Sequence, residues 1–511
     1  MRRRRLIALV IAVTAIIAAF GFAVLAAHRV RGSAEQVSAA YFRAWREADV
    51  REMAGLVDRP PADFVSRHLT FSEELHVEAI ELRPGPVRST GEETAEVTFT
   101  GTRRLRDFGP WPFTATLRLA VREREWKVVW TPETLHPLLK DGGTLDLAAF
   151  DGPPVELVTS EGDPIPRNSY AEAYLDRLRP EFDPAEEGLA LVAAVPGRAE
   201  QRLMTRAPEP GTQRTTLSRP VQAAAARALD GVEDAAIVAL RPSTGEVLAV
   251  ADRLRDSRSA FHDLFPPGST FKTITAAALL TAGLDPAAEV SCPAAYTIPF
   301  HRSFANAGRL DHGTLSFADA FAHSCNTTFV QEAVTRLEEE DLRETAEEWG
   351  FHRTLPTGVG GRCGALEDPV DLDWFGANAI GQGTVVASPL CMAAVAAAVR
   401  DGTWRPPRLL PAEEVRRVEG SAPPPPVTLD AGVVAALRDM MTAVVDHGTA
   451  SRAGLPEGVS GKTGTAEVEG GPDHGWFIGY RDDLAFCVFV RHGGSGRSAA
   501  LPITARFVNG L

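Results

Sequence analysis

Phe265-Pro266-Pro267-Gly268-Ser269-Thr270-Phe271-Lys272, running on into the apolar stretch 273–280, decides how the larger part of this chain is read. Pro and Gly close a loop, and a helix is expected to start at or near Ser269. Residues three apart on a helix share a face, so Lys272 should lie one turn below the Ser269 hydroxyl. The positive end of the helix favours a developing alkoxide. Burial by the apolar run lowers a lysine pKa. Ser269 and Lys272 are therefore a candidate nucleophile and its base. The lysine economy of the chain points the same way. Only four of its 53 basic residues are lysines, namely Lys127, Lys140, Lys272 and Lys462. Arginine stays protonated near neutral pH, whereas a desolvated lysine can serve as a proton acceptor. Taken alone, Ser-x-x-Lys is weak evidence, because most such matches are solvated helix starts.

Two further motifs add weight. Ser324-Cys325-Asn326 follows a helix-like stretch at 315–322 and can direct a hydroxyl and an amide into one cleft, although serine and asparagine are also ordinary turn and cap residues. Lys462-Thr463-Gly464-Thr465-Ala466 lies in an expected strand. Its glycine permits close approach of a ligand to the backbone, and its lysine and threonines offer a cationic, hydroxyl-rich edge suited to a carboxylate. Its bland alternative is an edge-strand lysine that guards against aggregation. Each alternative is credible singly, but chance explains all three in this order poorly.

The 511 residues exceed one ordinary core, so two or three domains are expected. A net charge of −14 with no strongly basic region argues against nucleic acid as a partner. Arg2 to Arg5 precede an uncharged apolar segment at 6–27. As a helix it spans about 33 Å, enough for a hydrocarbon core of roughly 30 Å. The arginines should stay in the cytoplasm (stub 1–5) and send the rest outside, a single-pass anchor in the cell membrane. The competing reading is a cleaved signal peptide, whose apolar core is usually shorter. Among the five cysteines there is no C-x-x-C pair, so zinc, and metal in general, has no support. No cofactor is expected. Cys391 and Cys487 read as core residues. Cys292 and Cys363 sit in loop-like sequence and are candidates to pair in an oxidising compartment.

Residues 33–139 read as a small α+β domain. A helix is expected over 34–57, with Val37, Ala40, Tyr41, Ala44 and Trp45 on one face. Strands follow at 76–82, 94–103, 113–121 and 126–131. Residues 140–214, rich in Pro, Gly and Glu, read as a linker with a small pedestal and one helical patch at 170–178. From 215 to 511 the pattern fits one large domain. A helix at 220–229 leads into a hairpin (235–240 and 246–251), alanine-rich helices follow, and three antiparallel strands come at 458–468, 476–480 and 484–491. A last helix covers 503–509. A sheet built from both ends of this region, with helices inserted between, is the expected core.

Ser269-x-x-Lys272, Ser324-x-Asn326 and Lys462-Thr463-Gly464 together resemble the penicillin-binding, active-site-serine acyltransferases. Gly381-Gln382-Gly383, Ser388-Pro389-Leu390 and Trp476 to Tyr480 resemble family segments too. With no glycosyltransferase domain before it, the chain is similar to the monofunctional class B members. Residues 33–139, through Trp126 to Trp130 and Leu135-His136-Pro137-Leu138, resemble the nuclear-transport-factor-2-like domain of the methicillin-resistance type. One departure stands out: the Arg-Gly-x-Ile-x-Asp-Arg-Asn-Gly type of segment usual in the pedestal is missing between 141 and 212.

The resemblance implies a multidomain α+β chain: a membrane helix, a small α+β domain, then a transpeptidase domain of antiparallel sheet flanked by helices, with an α-helical subdomain. It implies peptidoglycan D,D-transpeptidation of stem peptides on nascent glycan strands, with β-lactams as inhibitors and a membrane-embedded lipid II polymerase as a partner. By the same resemblance Ser269 is the nucleophile, Lys272 its base and Ser324 a proton relay. Asn326 positions the substrate amide, Lys462, Thr463, Gly464 and Thr465 hold the terminal carboxylate, and the N–H groups of Ser269 and Thr465 form the oxyanion hole. The closest rival is hydrolysis, as a D,D-carboxypeptidase or a β-lactamase. None of the five asparagines follows a leucine, so the Glu-x-x-Leu-Asn segment of class A β-lactamases is absent, and class D enzymes place valine where Asn326 stands. A β-lactam sensor needs a cytoplasmic signalling region, for which the short stub leaves no room.

Overall fold

The computed structural model describes residues 7, 9–17, 30–182, 186–255 and 258–511. The stub 1–5 and more than half of the apolar segment expected to span the membrane lie outside the described residues. Those of 9–17 are helical and exposed. Among the described residues no helix is long and apolar enough to cross a membrane.

The chain divides into two compact units, Met1–Pro153 with Pro184–Pro210, and Pro154–Asp183 with Gly211–Leu511. In the first, Ser33 caps helix Ala34–Arg46 by accepting the N–H of Gln36. The single helix expected over 34–57 is broken, because Ala48 takes a left-handed conformation and Asp49 caps a new helix, Val50–Leu56. The helices pack on an antiparallel sheet in which Val77–Pro84, Thr94–Leu105, Gly109–Arg122 and Glu125–Val129 lie in sequence order, with Arg88–Gly91 on one side. Thr94–Leu105 alternates buried and outward residues, as a strand with one face on a core should. Phe42, Phe99, Leu117 and Val128 are sealed in that core. A second sheet of three strands, Thr144–Phe150, Gly188–Ala194 and Gln201–Arg206, belongs to the same unit. The stretch 140–214, expected as one linker and pedestal, is thus shared between both units. Its helical patch, Glu172–Leu178, buries Tyr174 and Leu178 in the second. The strands Thr144–Phe150, Gly188–Ala194 and Gln201–Arg206 do not alternate cleanly between buried and exposed residues, so no strand period marks them in the sequence.

The second unit is built on a five-stranded antiparallel sheet in the order Glu246–Asp252, Ala235–Arg241, Leu484–Val490, His474–Arg481, Ser460–Ala466. Both ends of the region therefore meet in one sheet. The strands are apolar along most of their length, because both faces are covered. Helix Pro389–Asp401, all but its last two residues buried, lies against the central strands. Helices Arg219–Ala228 and Leu501–Asn509 pack on each other and on the sheet. The helical part between the sheet strands includes Lys272–Thr281, Phe317–Ala322, Asn326–Arg336, Leu372–Asn378 and Ala431–Asp446.

Cys292 and Cys363, the candidates to pair, are not bonded to each other. Cys292 is bonded to Cys325, and Cys363 to Cys391. Cys292 ends strand Glu289–Cys292, beside the start of helix Asn326–Arg336, where the Thr327 side chain reaches the Pro293 carbonyl. Cys363 lies against the start of the helix that carries Cys391, its carbonyl accepting the Ser388 N–H. Cys391, read as a plain core residue, is buried and bonded. Cys487 is a free, buried thiol.

Candidate active site

The helix expected to begin at Ser269 begins later. Gly268–Thr270 form a 3-10 turn, and the α-helix runs over Lys272–Thr281. A 3-10 turn has three residues per turn, so Ser269 and Lys272 still share a face. Gly268 has φ +52°, and a Cβ there would meet the Thr465 carbonyl oxygen at 2.2 Å. Its N–H donates to Gly381 O at 2.9 Å, and a Cβ on Gly381 would lie 2.0 Å from Gly268 O. A Cβ on Gly464 would meet Pro267 O at 2.8 Å. Glycines thus let three backbones close around the half-buried Ser269.

Lys272 is wholly buried. Its Nζ donates to the Ser324 carbonyl and to Asn326 Oδ1, both at 2.7 Å, with Ser324 Oγ at 3.5 Å. Ser324 takes a left-handed conformation, φ +60°, directly before the disulfide-held Cys325 and the helix that starts at Asn326. Asn326 in turn donates to Ala305 O at 3.0 Å. Lys462 is equally buried, and its Nζ donates to Ser324 Oγ at 2.9 Å and to Thr463 O at 3.1 Å. Two amines therefore converge on Ser324. Phe329 faces the first at 5.4 Å and Phe321 the second at 5.3 Å.

Burial, and secondarily the charge of Lys462, hold the Lys272 amine well below the usual lysine range. Burial alone brings Lys462 down to about 7. A neutral amine has two N–H bonds and one lone pair. Lys272 meets two short acceptors, which leaves the lone pair for a proton. The site is thus chemically able to take a proton from a serine and to hold an anion with a second, switchable amine.

All the residues singled out in the three motifs lie in this second unit. Lys272, Ser324, Asn326 and Lys462 form one hydrogen-bonded cluster, and the Ser269 turn abuts the strand of Lys462 through Gly268 and Gly464. The Thr463 hydroxyl bonds that of Thr449 at 2.6 Å, and Thr465 Oγ1 accepts the Gly496 N–H at 3.1 Å. Thr449 and Gly496 escaped the sequence reading. The only signal for Thr449 is the Gly448-Thr449 pair after a long helix. Gly496 carries none, since its role depends on lying across Gly464, where a Cβ would meet the Gly464 carbonyl oxygen at 2.4 Å.

Residues 235–509 match the penicillin-binding protein transpeptidase domain, and residues 33–143 match the NTF2-like N-terminal transpeptidase domain. The chain is 30% identical over 346 residues to peptidoglycan D,D-transpeptidase PbpA of Mycolicibacterium smegmatis, an alignment covering 58% of this chain and 70% of that protein. It is 31% identical over 361 residues to the protein of the same name from Mycobacterium tuberculosis, with the same coverage. Among solved structures, penicillin-binding protein A from M. tuberculosis as an imipenem acyl-enzyme complex superposes with a TM-score of 0.52 at 26% identity, covering 60% of this chain and 80% of that one. With a serine turn, two buried amines and a five-stranded sheet arranged in this way, and with a family match over more than half its length, the chain belongs to the penicillin-binding protein transpeptidases, carrying an NTF2-like domain ahead of the catalytic one.

Proposed function

We propose that this protein is a peptidoglycan D,D-transpeptidase that cross-links stem peptides through an acyl-enzyme on Ser269 and is inhibited by β-lactams in the same way. The observation that carries the reading is the buried Lys272 amine, one turn from Ser269 and bonded to both Ser324 and Asn326. Ser269 attacks the carbonyl of the penultimate D-alanine, and Lys272 takes its proton. The N–H groups of Ser269 and Thr465 stabilise the oxyanion. Ser324, between the two amines, passes a proton to the leaving D-alanine. Asn326 positions the substrate amide, and Lys462, Thr463 and Thr465 hold the terminal carboxylate, with Gly464 giving the room. An amine from a neighbouring stem then resolves the acyl-enzyme. Four arginines before the apolar segment 6–27 support a single-pass anchor with the small domain (33–139) and the catalytic domain (215–511) outside the membrane. A membrane-embedded lipid II polymerase is the partner that supplies the strands.

The test is covalent labelling with a fluorescent penicillin, mapping of the adduct by peptide mass, and product analysis on pentapeptide-bearing glycan strands. A single adduct on Ser269 together with cross-linked product is expected. An adduct elsewhere, or none, overturns the acylation mechanism. Release of free D-alanine without cross-links, with acceptor plentiful, makes it a carboxypeptidase.

The two amines also set a pH profile. Lys272 accepts a proton only when neutral, so acylation rises as pH climbs through its depressed pKa. Lys462 grips a carboxylate only when charged, and in the free enzyme it loses that charge above about 7. The second-order acylation rate, which reports the free enzyme, is expected to be bell-shaped with its alkaline limb near neutrality. A rate still climbing at pH 9 would remove Lys462 from the carboxylate role.

A further inference from the structure

We infer that Phe300 and Trp374 form an aromatic platform for the sugar chain that carries the stem peptide, a subsite distinct from the serine cleft; this rests on the proposed reaction. Phe300 has φ +67° and is fully exposed, at 105% of the reference area. A bulky residue rarely takes that conformation, and such strain collects where function requires it. Trp374 is 43% exposed, and Val370 and Leu372 beside it are 81% and 40% exposed. Exposed apolar surface concentrated like this marks an interaction site.

The two aromatics belong to one surface. The Arg302 N–H donates to Asp373 Oδ1 at 2.8 Å, and His301 Nδ1 lies 3.6 Å from the same oxygen. Gly376 lets helix Leu372–Asn378 settle on Ile298 and Phe304, which a Cβ there would meet at 3.1 and 3.2 Å. Both supports lead into the cleft. Strand Ser303–Ala305 ends on the carbonyl that accepts from Asn326. Helix Leu372–Asn378 runs on to Gly381, whose carbonyl accepts from Gly268. Phe300 is thus within about 17 Å of Ala305 along the chain, and Trp374 within about 17 Å of Gly381. A stem peptide places about four residues between the reacting carbonyl and its sugar, a reach of about 14 Å when extended. A strand whose peptide is seated at Ser269 therefore brings its sugars to this distance from the cleft. Pyranose rings present flat C–H faces that stack on aromatic rings, and the adjoining Asp373, His301 and Arg302 suit hydroxyl and amide groups.

The experiment compares the full-length chain with the variant Phe300→Gly/Trp374→Ala. Glycine suits the left-handed position, and Trp374 is a surface residue, so the fold should persist. Three substrates are used: a small fluorescent penicillin, a free stem pentapeptide, and uncross-linked glycan strands bearing the same peptide. The expected result is an approximately tenfold loss of kcat/KM on glycan strands, mostly in KM, with penicillin acylation and free-peptide turnover within about twofold of wild type. Equal activity on glycan strands overturns the inference, as does an equal loss on all three substrates. Unchanged activity with wild-type self-association that the substitutions abolish would assign the surface to a second copy instead. If the wild type is not acylated by penicillin at all, the proposed reaction fails first and is recognised separately.

Discussion

Lys272→Arg is expected to lower the rate of penicillin acylation by about 10³-fold, the scale of a lost general base. Arginine keeps positive charge and reach, yet its guanidinium holds its protons at any pH the protein survives. The site also has no room for it. Lys272 is fully buried, with two acceptors at 2.7 Å and the Phe329 ring at 5.4 Å. A planar group with five donors would leave several unmatched in a dry cavity. Loss of fold is a separate route to inactivity, so Lys272→Met serves beside it. Methionine fills much of the same volume without a proton acceptor and should keep a cooperative melt while remaining unlabelled. Acylation by the arginine variant at near the wild-type rate would show that charge, rather than proton transfer, is what the position supplies.

Gly268→Ala is expected to be among the most damaging single-methyl changes in the catalytic unit, destabilising by about 3–5 kcal/mol. The added Cβ would stand 2.2 Å from Thr465 O and 2.6 Å from its carbonyl carbon, and φ is +52°. Neither contact is with a flexible side chain, so a backbone must give way. Either the serine turn or the strand of Lys462 moves, and a displacement of about 1 Å between reacting groups costs on the order of 10²-fold in rate. Thermal melting and acylation rate should fall together. A variant that melts normally and acylates normally would mean that the turn and strand are not held in contact.

These glycines mark the boundary of what the sequence reveals. Gly268, Gly381 and Gly464 could each be flagged as permissive, but their mutual contact is a fact of tertiary packing. The strand and helix periods of the catalytic unit were legible because its core is large and its patterns long, as in 235–240 and 484–491. The hairpin and the three late strands stand where they were expected. The break at Ala48 was not legible, since the apolar face continues across it. Cysteine pairing was not legible because the partners, Cys325 within the second motif and Cys391 inside an apolar helix, look like filler in their local sequence. The motif clustering was legible, but the environment of Lys462 was not. Sequence suggested a cationic edge suited to a carboxylate. Full burial and a pKa brought down to about 7 make Lys462 a titrating group that shares a hydroxyl with Lys272, a poor place for a permanent cation.

The order of strands in the catalytic sheet carries a consequence for how the protein comes into being. Leu484–Val490 lies between Ala235–Arg241 and His474–Arg481, so a late-made strand joins the first hairpin to His474–Arg481 and, through it, to the strand bearing Lys462. A ribosome delivers the serine turn long before that joining strand. Until then the hairpin has an open edge and the strand of Lys462 has no link to it through the sheet. Sheet closure over such a sequence distance is slow and exposes apolar edges meanwhile. Prematurely ended products would accordingly be chemically inert and prone to removal. Reactivity toward β-lactams thus becomes a certificate that synthesis has passed residue 490.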